Sequence, residues 1–403
     1  MKKLLKPLFK STTLFMWCAI SLVAISCSSD DPAEEPPVNV DPIQLDCDYF
    51  LENRTLVDNP AAPVDYIVSC NAQVRANLII EPGVVIAFTQ DSGLSFRETV
   101  SSIRAVGTAD KPIIFTGTQP TRGSWRGIFI ESGNTANIME HVTVSYGGGE
   151  PFNSNGDRGN IIVYAGGALT LNNCNIISSQ TSGLNAVYSD TSITLENNIF
   201  TGNANPLLIN TVYATQTSAT DNYAGNDLDR VLLYNYSIEF QTPSIWKKIN
   251  VPYRVLNTGI SAANARGELT IQPGVTIEMS PGTSINIRET AGLKMVGTPS
   301  DPIIIKGVTN TPGSWNGITM NTTNPMNEIG FAQISNAGED PSNNKGAISL
   351  WFNSKLYIHD TEFKDLASCG VYGRLLASQT FNPNYSSSNL TYINVACTEF
   401  FEN

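Results

Sequence analysis

The strongest constraint on the fold is a set of motifs that recur once along the chain, in the same order and about 190 residues apart. LIIEPGV at residues 78–84 returns as LTIQPGV at 269–275. GSWRGI at 123–128 returns as GSWNGI at 313–318. Motifs that keep their order and nearly their spacing predict an internal duplication of a unit of about 190 residues.

A shorter repeat of about 23 residues is visible inside the first unit. LNNCNI at 171–176 is followed by LENNIF at 195–200, and FTGN at 200–203 is followed by YAGN at 223–226. Short runs with alternating apolar side chains lie between these anchors, separated by Gly, Asn and Asp. Strands this short at this spacing are typical of a β-solenoid, whose coils stack about 4.8 Å apart. The chain is therefore predicted to be all-β.

Taken together, the motifs LTIxPGV, GSWxGI and LxNxxI/F resemble those of the pectin lyase-like superfamily. The resemblance covers about residues 66–403. It implies a right-handed parallel β-helix, and it is specific for the fold and much less so for function. The superfamily includes polysaccharide lyases and hydrolases as well as non-catalytic surface proteins.

The N-terminus has the pattern of an exported lipoprotein. A basic segment is followed by an apolar run at 11–25 and then by Ser26-Cys27, which is typical of a secretory signal. The residues AISC at 24–27 resemble a bacterial lipobox, which implies that 1–26 is a signal peptide and that Cys27 carries lipid. An ordinary cleaved signal, with Cys27 unmodified, is the alternative.

The rest of the chain divides into a tether and two units. Residues 27–45 are acidic and rich in Pro, which favours an extended tether. An acidic stretch after the lipidated Cys also resembles the surface-export signal of some Gram-negative lipoproteins. We therefore expect a bacterial protein anchored in the outer membrane and facing the cell exterior. The first β-helix unit is placed at 46–250 and the second at 251–403.

Five cysteines follow the predicted anchor: Cys47, Cys70, Cys174, Cys369 and Cys397. Cys47 and Cys70 are separated by about one coil, and Cys369 and Cys397 by one coil and a loop. Each pair is therefore a candidate disulfide near one end of the solenoid, where an exported location permits it. The alternative is that all five are reduced and buried, and Cys174 is expected to be a buried thiol in either case. None has the spacing of a metal site.

The charge of the chain excludes one class of partner. The formal net charge is −12, and charged residues make up only 15% of the sequence. An acidic protein lacks the basic surface that non-specific nucleic-acid binding requires. We therefore expect no nucleic-acid partner.

Each unit contains one loop that is rich in carboxylate and amide groups, at 147–158 and at 336–345. Oxygen-rich loops bind calcium ions or sugar hydroxyl groups, and long insertions of a solenoid often form its binding face. A solvated connection between coils is the alternative. No cofactor other than calcium is suggested. The charged residues of these loops are the ligand-binding candidates: Glu150, Asp157, Arg158, Glu339, Asp340 and Lys345.

The signatures of catalysis are weak. The superfamily's lyases use calcium-binding Asp and a basic residue, and its hydrolases use clustered Asp; the corresponding Gly-His-Gly, Arg-x-Lys and paired-Asp patterns are missing. His141 and His359 lie in no nucleophile motif. The repeated Trp125 and Trp315 are predicted to pack in the core rather than to stack on sugar rings.

Three functional hypotheses follow. The leading one is a lipid-anchored surface protein that acts as a glycan-binding or adhesion module, with a polysaccharide or surface glycan as its partner. The second is a polysaccharide lyase or glycoside hydrolase of the pectin lyase-like superfamily, with no catalytic residue assigned. The third is a non-catalytic structural scaffold.

Overall fold

The chain folds as a parallel β-helix. The computed structural model describes residues 40–234, 243–256, 264–265, 267–338 and 345–403. Each coil contributes short strands to successive sheets, and the strands of neighbouring coils pair in parallel. This architecture confirms the all-β prediction and is consistent with the right-handed parallel β-helix. The predicted signal peptide, Cys27 and the tether up to residue 39 lie outside the described residues, and Ile43–Leu45, within the predicted tether, forms the first strand.

The strands described are short. The first group, in chain order, is β1 (Ile43–Leu45), β2 (Arg54–Leu56), β3 (Tyr66–Val68), β4 (Asn71–Val74), β5 (Asn77–Ile80), β6 (Val85–Phe88), β7 (Gly93–Phe96), β8 (Ser102–Val106), β9 (Ile113–Gly117), β10 (Gly127–Ile130), β11 (Ile138–Glu140), β12 (Val142–Ser145), β13 (Ile161–Val163), β14 (Ala168–Asn172), β15 (Asn175–Ile177), β16 (Ser182–Ala186), β17 (Ser192–Glu196), β18 (Ile199–Thr201) and β19 (Asn205–Asn210). The second group is β20 (Val231–Tyr234), β21 (Ser244–Trp246), β22 (Tyr253–Val255), β23 (Asn264–Ala265), β24 (Glu268–Ile271), β25 (Thr276–Met279), β26 (Ser284–Arg288), β27 (Gly292–Val296), β28 (Ile303–Gly307), β29 (Gly317–Asn321), β30 (Glu328–Gly330), β31 (Ala332–Ser335), β32 (Gly346–Trp351), β33 (Leu356–His359), β34 (Glu362–Lys364), β35 (Cys369–Arg374), β36 (Tyr385–Ser388), β37 (Thr391–Ile393) and β38 (Cys397–Glu402). The 3-10 helices are Asp48–Leu51 and Thr211–Gln216. Within the described residues, no helix has the length and apolar character of a membrane span.

These strands form five sheets, named A to E. Sheet A has the order β1-β3-β6-β9-β12-β15-β18, and sheet B has the order β2-β5-β8-β11-β14-β17. Sheet C is the longest, with the order β4-β7-β10-β13-β16-β19-β20-β22-β25-β28-β31-β34-β37. Sheet D has the order β23-β26-β29-β32-β35-β38, and sheet E has the order β21-β24-β27-β30-β33-β36. The thirteen strands of sheet C run through both predicted units, so the two form one continuous solenoid.

Inward side chains stack in apolar columns because every second residue of a strand faces the interior. One column in sheet A joins Phe115, Val144, Ile176 and Phe200, which are in register and have no exposed surface. Burial of a side chain of this size contributes roughly 1.5–3 kcal/mol. A single coil buries little by itself, so the fold depends on the stack.

Asparagines form a polar ladder at the corners between strands. The Asn203 side chain accepts a hydrogen bond from the Ser179 backbone at 2.8 Å and donates to Asn226 Oδ1 at 3.0 Å. Asn173 and Asn197 take φ values of 53° and 56°, a left-handed conformation that Asn tolerates better than most residues. The ladder explains why the coils have Asn where most proteins have charged residues.

Both ends of the solenoid carry a disulfide. Cys47 is bonded to Cys70, with Cα atoms 6.0 Å apart. Cys369 is bonded to Cys397, its register partner on the neighbouring strand. Cys174 is a free and buried thiol, and burial raises its pKa to about 12. Each bridge links an end coil, which has a neighbour on one side only, to the coil beside it.

Corresponding motifs of the two predicted units form the same turns but lie in different sheets. The Pro-Gly turn at 81–84 leads from β5 in sheet B to β6 in sheet A. The Pro-Gly turn at 272–275 leads instead from β24 in sheet E to β25 in sheet C. Likewise, the Gly-Ser-Trp motif precedes β10 in sheet C and β29 in sheet D. The second half is therefore displaced by one sheet around the solenoid.

The displacement arises between residues 204 and 250, the segment for which the sequence shows no repeat partner. Sheets A and B end with β18 and β17, sheets E and D begin with β21 and β23, and sheet C continues through β19, β20 and β22. The 3-10 helix Thr211–Gln216 contacts both β17, the last strand of sheet B, and β21, the first strand of sheet E. Buried aromatic side chains fill the irregular core here: Tyr213, Tyr223, Trp246 and Tyr253.

Candidate functional site

The predicted loop at 147–158 connects β12 to β13 and packs against the outer face of sheet C. Its Phe152 ring lies 5.3 Å from the ring of Phe129, measured between centroids. Phe152, Phe129 and Ile162 form an apolar cluster separate from the main core. A solvated connection between coils would leave this cluster exposed to water. The loop is therefore a folded part of the surface, held by an apolar anchor.

The carboxylate of Asp157 is buried under the same loop. Its Oδ2 atom accepts hydrogen bonds from Asn153 Nδ2 at 2.8 Å and from the Tyr188 hydroxyl at 3.0 Å. Burial raises the pKa of Tyr188, and the Asp157 carboxylate acts in the same direction. The hydroxyl therefore remains protonated and donates to Asp157. Asp157 positions a tyrosine instead of facing solvent.

Two partly exposed tyrosines lie beside this loop and form what we call the aromatic shelf, Tyr164 and Tyr188. Their ring centroids are 4.4 Å apart. Asn155 Nδ2 donates to both hydroxyls, at 3.3 Å to Tyr164 and 2.9 Å to Tyr188. Phe129 supports the Tyr164 ring from below at 5.2 Å. The rings are thus held at the surface by packing and by hydrogen bonds.

An ion pair lies on the same face of sheet C. Arg97 Nη1 is 3.2 Å from Glu131 Oε2, and both side chains are about one-third exposed. The Arg97 guanidinium stacks over Phe129 at 4.4 Å and donates to the Phe152 carbonyl at 3.2 Å. Because Phe96, Ile130 and Val163 are in register, Arg97, Glu131 and Tyr164 follow them as one row along the solenoid.

The remaining predicted ligand residues are distributed differently. Glu150 is exposed at the start of the loop, and Arg158 is partly exposed. Glu339 and Asp340 lie outside the described residues. Lys345 Nζ lies 2.5 Å from Glu402 Oε1, beside sheet D. Because the first loop leads to sheet C and Lys345 lies beside sheet D, the four candidates that the structure describes do not form one site.

The two repeated tryptophans are core residues, as predicted. Trp125 has no exposed surface, stacks on Phe88 at 4.2 Å and donates to the Ser145 carbonyl at 2.7 Å. Trp315 is equally buried and donates to the Ser335 carbonyl at 2.8 Å. Neither side chain is accessible to a ligand.

A groove at the corner between sheets E and C was not predicted. Its volume is about 320 Å³, at the lower end of the range for small-molecule sites, about 300–1,000 Å³. The hydrogen bonds of His359 and Asn389 to Asp360 lower the pKa of that carboxyl. The sequence signal was the run His359-Asp-Thr-Glu362. The groove's aromatic and polar lining includes Phe331, Gln333, Asp360, Glu362, Asn389 and Thr391.

His359 itself is satisfied by its neighbours. Its Nδ1 atom lies 2.8 Å from Asp360 Oδ2, and its Nε2 atom lies 3.4 Å from Glu328 Oε1. The ring stacks on Tyr357 at 4.8 Å. It orients Asp360 and does not face a nucleophilic side chain in the part of the chain that the structure describes.

Calcium does not fit the described residues well. Among the residues for which the structure gives positions, no three His, Cys, Asp or Glu side chains are grouped as metal ligands. The Asp157 oxygen that the loop offers is already occupied by Asn153 and Tyr188. No step of a mechanism is therefore assigned to a metal.

No protein-family model, no curated protein and no solved structure matches this chain. The resemblance to the pectin lyase-like superfamily therefore rests on the sequence motifs. The parallel β-helix is the part of that resemblance that the structure supports.

Proposed function

We propose that the protein is a lipid-anchored surface β-helix of the pectin lyase-like type that binds glycans through the aromatic shelf. The observation that carries the proposal is the partly exposed tyrosine pair, Tyr164 and Tyr188, held 4.4 Å apart beside polar side chains. The proposal includes a lipid anchor on Cys27. The lipobox-like motif and the acidic segment after it support display of this surface outside the cell.

The chemistry of the shelf suits a sugar. Aromatic faces pack against the apolar C–H face of a sugar ring, and a few fixed polar groups then set its orientation. Asn155, Arg97 and Glu131 supply amide, guanidinium and carboxylate groups around the rings. The shelf is also pre-organised, because Phe129 and Asp157 fix the two tyrosines before a ligand arrives.

Replacing both Tyr164 and Tyr188 by alanine is expected to weaken binding of a shelf-bound oligosaccharide by at least about tenfold, since central aromatic residues dominate binding energy. The measurement is a dissociation constant from calorimetric titration, with ligands selected on a glycan array. The matched control is Tyr357→Ala, which removes an exposed tyrosine from sheet E. Unchanged affinity in the double variant, or an equal loss in the control, would contradict the proposal.

A second candidate function, glycoside hydrolysis, is favoured by the corner groove. Asp360 and Glu362 both line the same cavity, and hydrolysis of a glycosidic bond uses two carboxyl groups on either side of the bond. The hydrogen bonds from His359 and Asn389 keep Asp360 ionised, which suits a nucleophile or a general base. Glu362 is then the proton donor to the departing sugar.

If the groove is catalytic, Asp360→Asn and Glu362→Gln should each reduce the release of reducing ends from a polysaccharide by at least about a hundredfold. The matched control is Asp365→Asn. Asp365 also has a positive φ and accepts a hydrogen bond from an asparagine one coil away, Asn394, but it does not line the groove. Product release at the wild-type rate in both groove variants would exclude this second function.

A further inference from the structure

A second surface row lies on sheet D at the position that matches the shelf row in sheet C. Arg288 is in register with Asn321, and Trp351 is in register with Arg374. The register of Met320 with Leu350 places Asn321 next to Trp351. All four side chains face outward, and Trp351 is partly buried while the other three are exposed. They form one continuous row, which we call the sheet D row.

The strand registers make the two rows equivalent position by position. Ile128 pairs with Leu94 and Ile161, and its motif partner Ile318 pairs with Ile285 and Ile348. Counting along each strand then aligns Arg97 with Arg288, Glu131 with Asn321, and Tyr164 with Trp351. The same count aligns Val187 with Arg374. An arginine and a surface aromatic ring are therefore present at the same places in both rows.

The two rows differ in charge. In the first, Glu131 neutralises Arg97 directly at 3.2 Å. In the second, an asparagine replaces that glutamate and a further arginine, Arg374, is added, with its guanidinium 5.6 Å from the Trp351 ring centroid. The register partner of Arg374 on the next strand is Glu402. Its carboxylate forms an ion pair with Lys345 and accepts a hydrogen bond from the Tyr372 hydroxyl at 2.8 Å. The sheet D row is thus more cationic than the shelf row.

A cavity of about 310 Å³ adjoins the Trp351 ring. Its lining includes Asn321, Trp351, Phe352, Asn353 and one carboxylate, that of Glu289, while Arg288 and Arg374 lie on the sheet D row and not in the lining. Phe352 is 42% exposed, so the cavity has a second aromatic side chain at its edge.

We infer that the sheet D row and this cavity form a second glycan site, which takes a sugar bearing an anionic group, either a carboxylate or a sulfate. Trp351 packs against the sugar ring, and Arg288 and Arg374 bind the anionic group through charge-assisted hydrogen bonds. The inference rests on the proposed function, because it extends glycan binding to a second surface. Since sheets C and D are different faces, one molecule holds two separate glycan segments.

The test uses the purified protein and three probes of equal length: a neutral galactan, a galacturonan and a sulfated galactan oligosaccharide. Trp351→Ala and Arg374→Gln are each expected to weaken binding of at least one anionic probe by about tenfold or more. Neutral binding should remain, and higher salt should weaken only the anionic component. Which anionic probe responds identifies carboxylate or sulfate as the ligand group. The matched control for Trp351→Ala is Phe381→Ala, an aromatic side chain that is 67% exposed.

The outcomes separate this inference from the proposed function. If Tyr164→Ala/Tyr188→Ala abolishes binding of all probes while Trp351→Ala and Arg374→Gln change none, the second site is wrong and the shelf proposal stands. If the wild-type protein binds no probe at millimolar concentration, the proposed function fails and the inference fails with it. Arg374 is exposed, so Arg374→Gln tests the site without disturbing the core even if Trp351→Ala lowers stability.

Discussion

Replacing Trp125 by alanine is expected to lower the free energy of unfolding by about 3–5 kcal/mol, the range for a fully buried large aromatic side chain. The indole has no exposed surface, stacks on Phe88 at 4.2 Å and gives its Nε1 proton to the Ser145 carbonyl. Truncation removes this packing, opens a cavity between two coils and leaves a buried carbonyl without its donor. The measurement is a denaturant titration followed by circular dichroism.

Two further variants show whether the loss comes from burial. Trp315→Ala removes the corresponding side chain of the second motif, which is equally buried, and a loss of similar size is expected. Phe381→Ala removes an aromatic side chain that is 67% exposed, and a change within about 0.5 kcal/mol is expected. A loss below about 1 kcal/mol for Trp125→Ala would mean that the Gly-Ser-Trp motif does not act through packing.

Glu278→Gln is expected to destabilise the protein by about 3 kcal/mol, because it leaves charges near a buried position without their partner. Glu278 is only 4% exposed on the outer face of sheet C. Its Oε2 atom accepts hydrogen bonds from Arg230 Nε at 2.8 Å and Arg254 Nε at 2.9 Å, and Lys306 Nζ lies 3.8 Å from Oε1. One carboxylate is thus shared by three cationic side chains where the two halves of the solenoid meet.

The loss at Glu278 should depend on pH in a defined direction. Burial by itself raises the pKa of Glu278, but Arg230 and Arg254 together outweigh it and hold the pKa below its usual value. A lowered pKa contributes stability above the unfolded-state value, about 4.3, and this contribution is lost as the pH falls through the folded-state pKa. The difference between wild type and Glu278→Gln should therefore be largest near neutral pH and shrink in acid.

Asp221 changes the pH dependence of stability in the opposite direction. Because Asp221 is present in both wild type and Glu278→Gln, its effect cancels in the difference between them. Burial raises the pKa of Asp221, so this residue favours the folded state at low pH and loses that contribution as the pH rises.

The control for an ordinary surface ion pair is Lys111→Gln. Lys111 is 59% exposed beside Asp58, and a loss of less than about 1 kcal/mol in the free energy of unfolding is expected. A pH-independent difference for Glu278→Gln would argue against a charge effect.

Much of the fold was predictable because its signals are local. Alternating apolar residues define strands within a few positions, and Pro-Gly or Asn corners define the turns between them. The coil period also placed Cys47 one coil before Cys70, and Cys369 one coil and a loop before Cys397, which are the pairs that the structure joins. The site was predicted less completely. The sequence indicated the loop at 147–158, but Tyr164 and Tyr188 outside it carry no motif.

By itself, the sequence determined the all-β class, the coil and its corners, and the core role of Trp125, because each follows from residues close together in the chain. Only the tertiary structure decided which surface each loop and strand presents. The second half is displaced by one sheet at the strands β19 to β22, where the bulky side chains of Trp246 and Tyr253 pack in the core. That displacement places Tyr164 on sheet C and Trp351 on sheet D. Such lateral register depends on contacts between coils, and no local pattern encodes it.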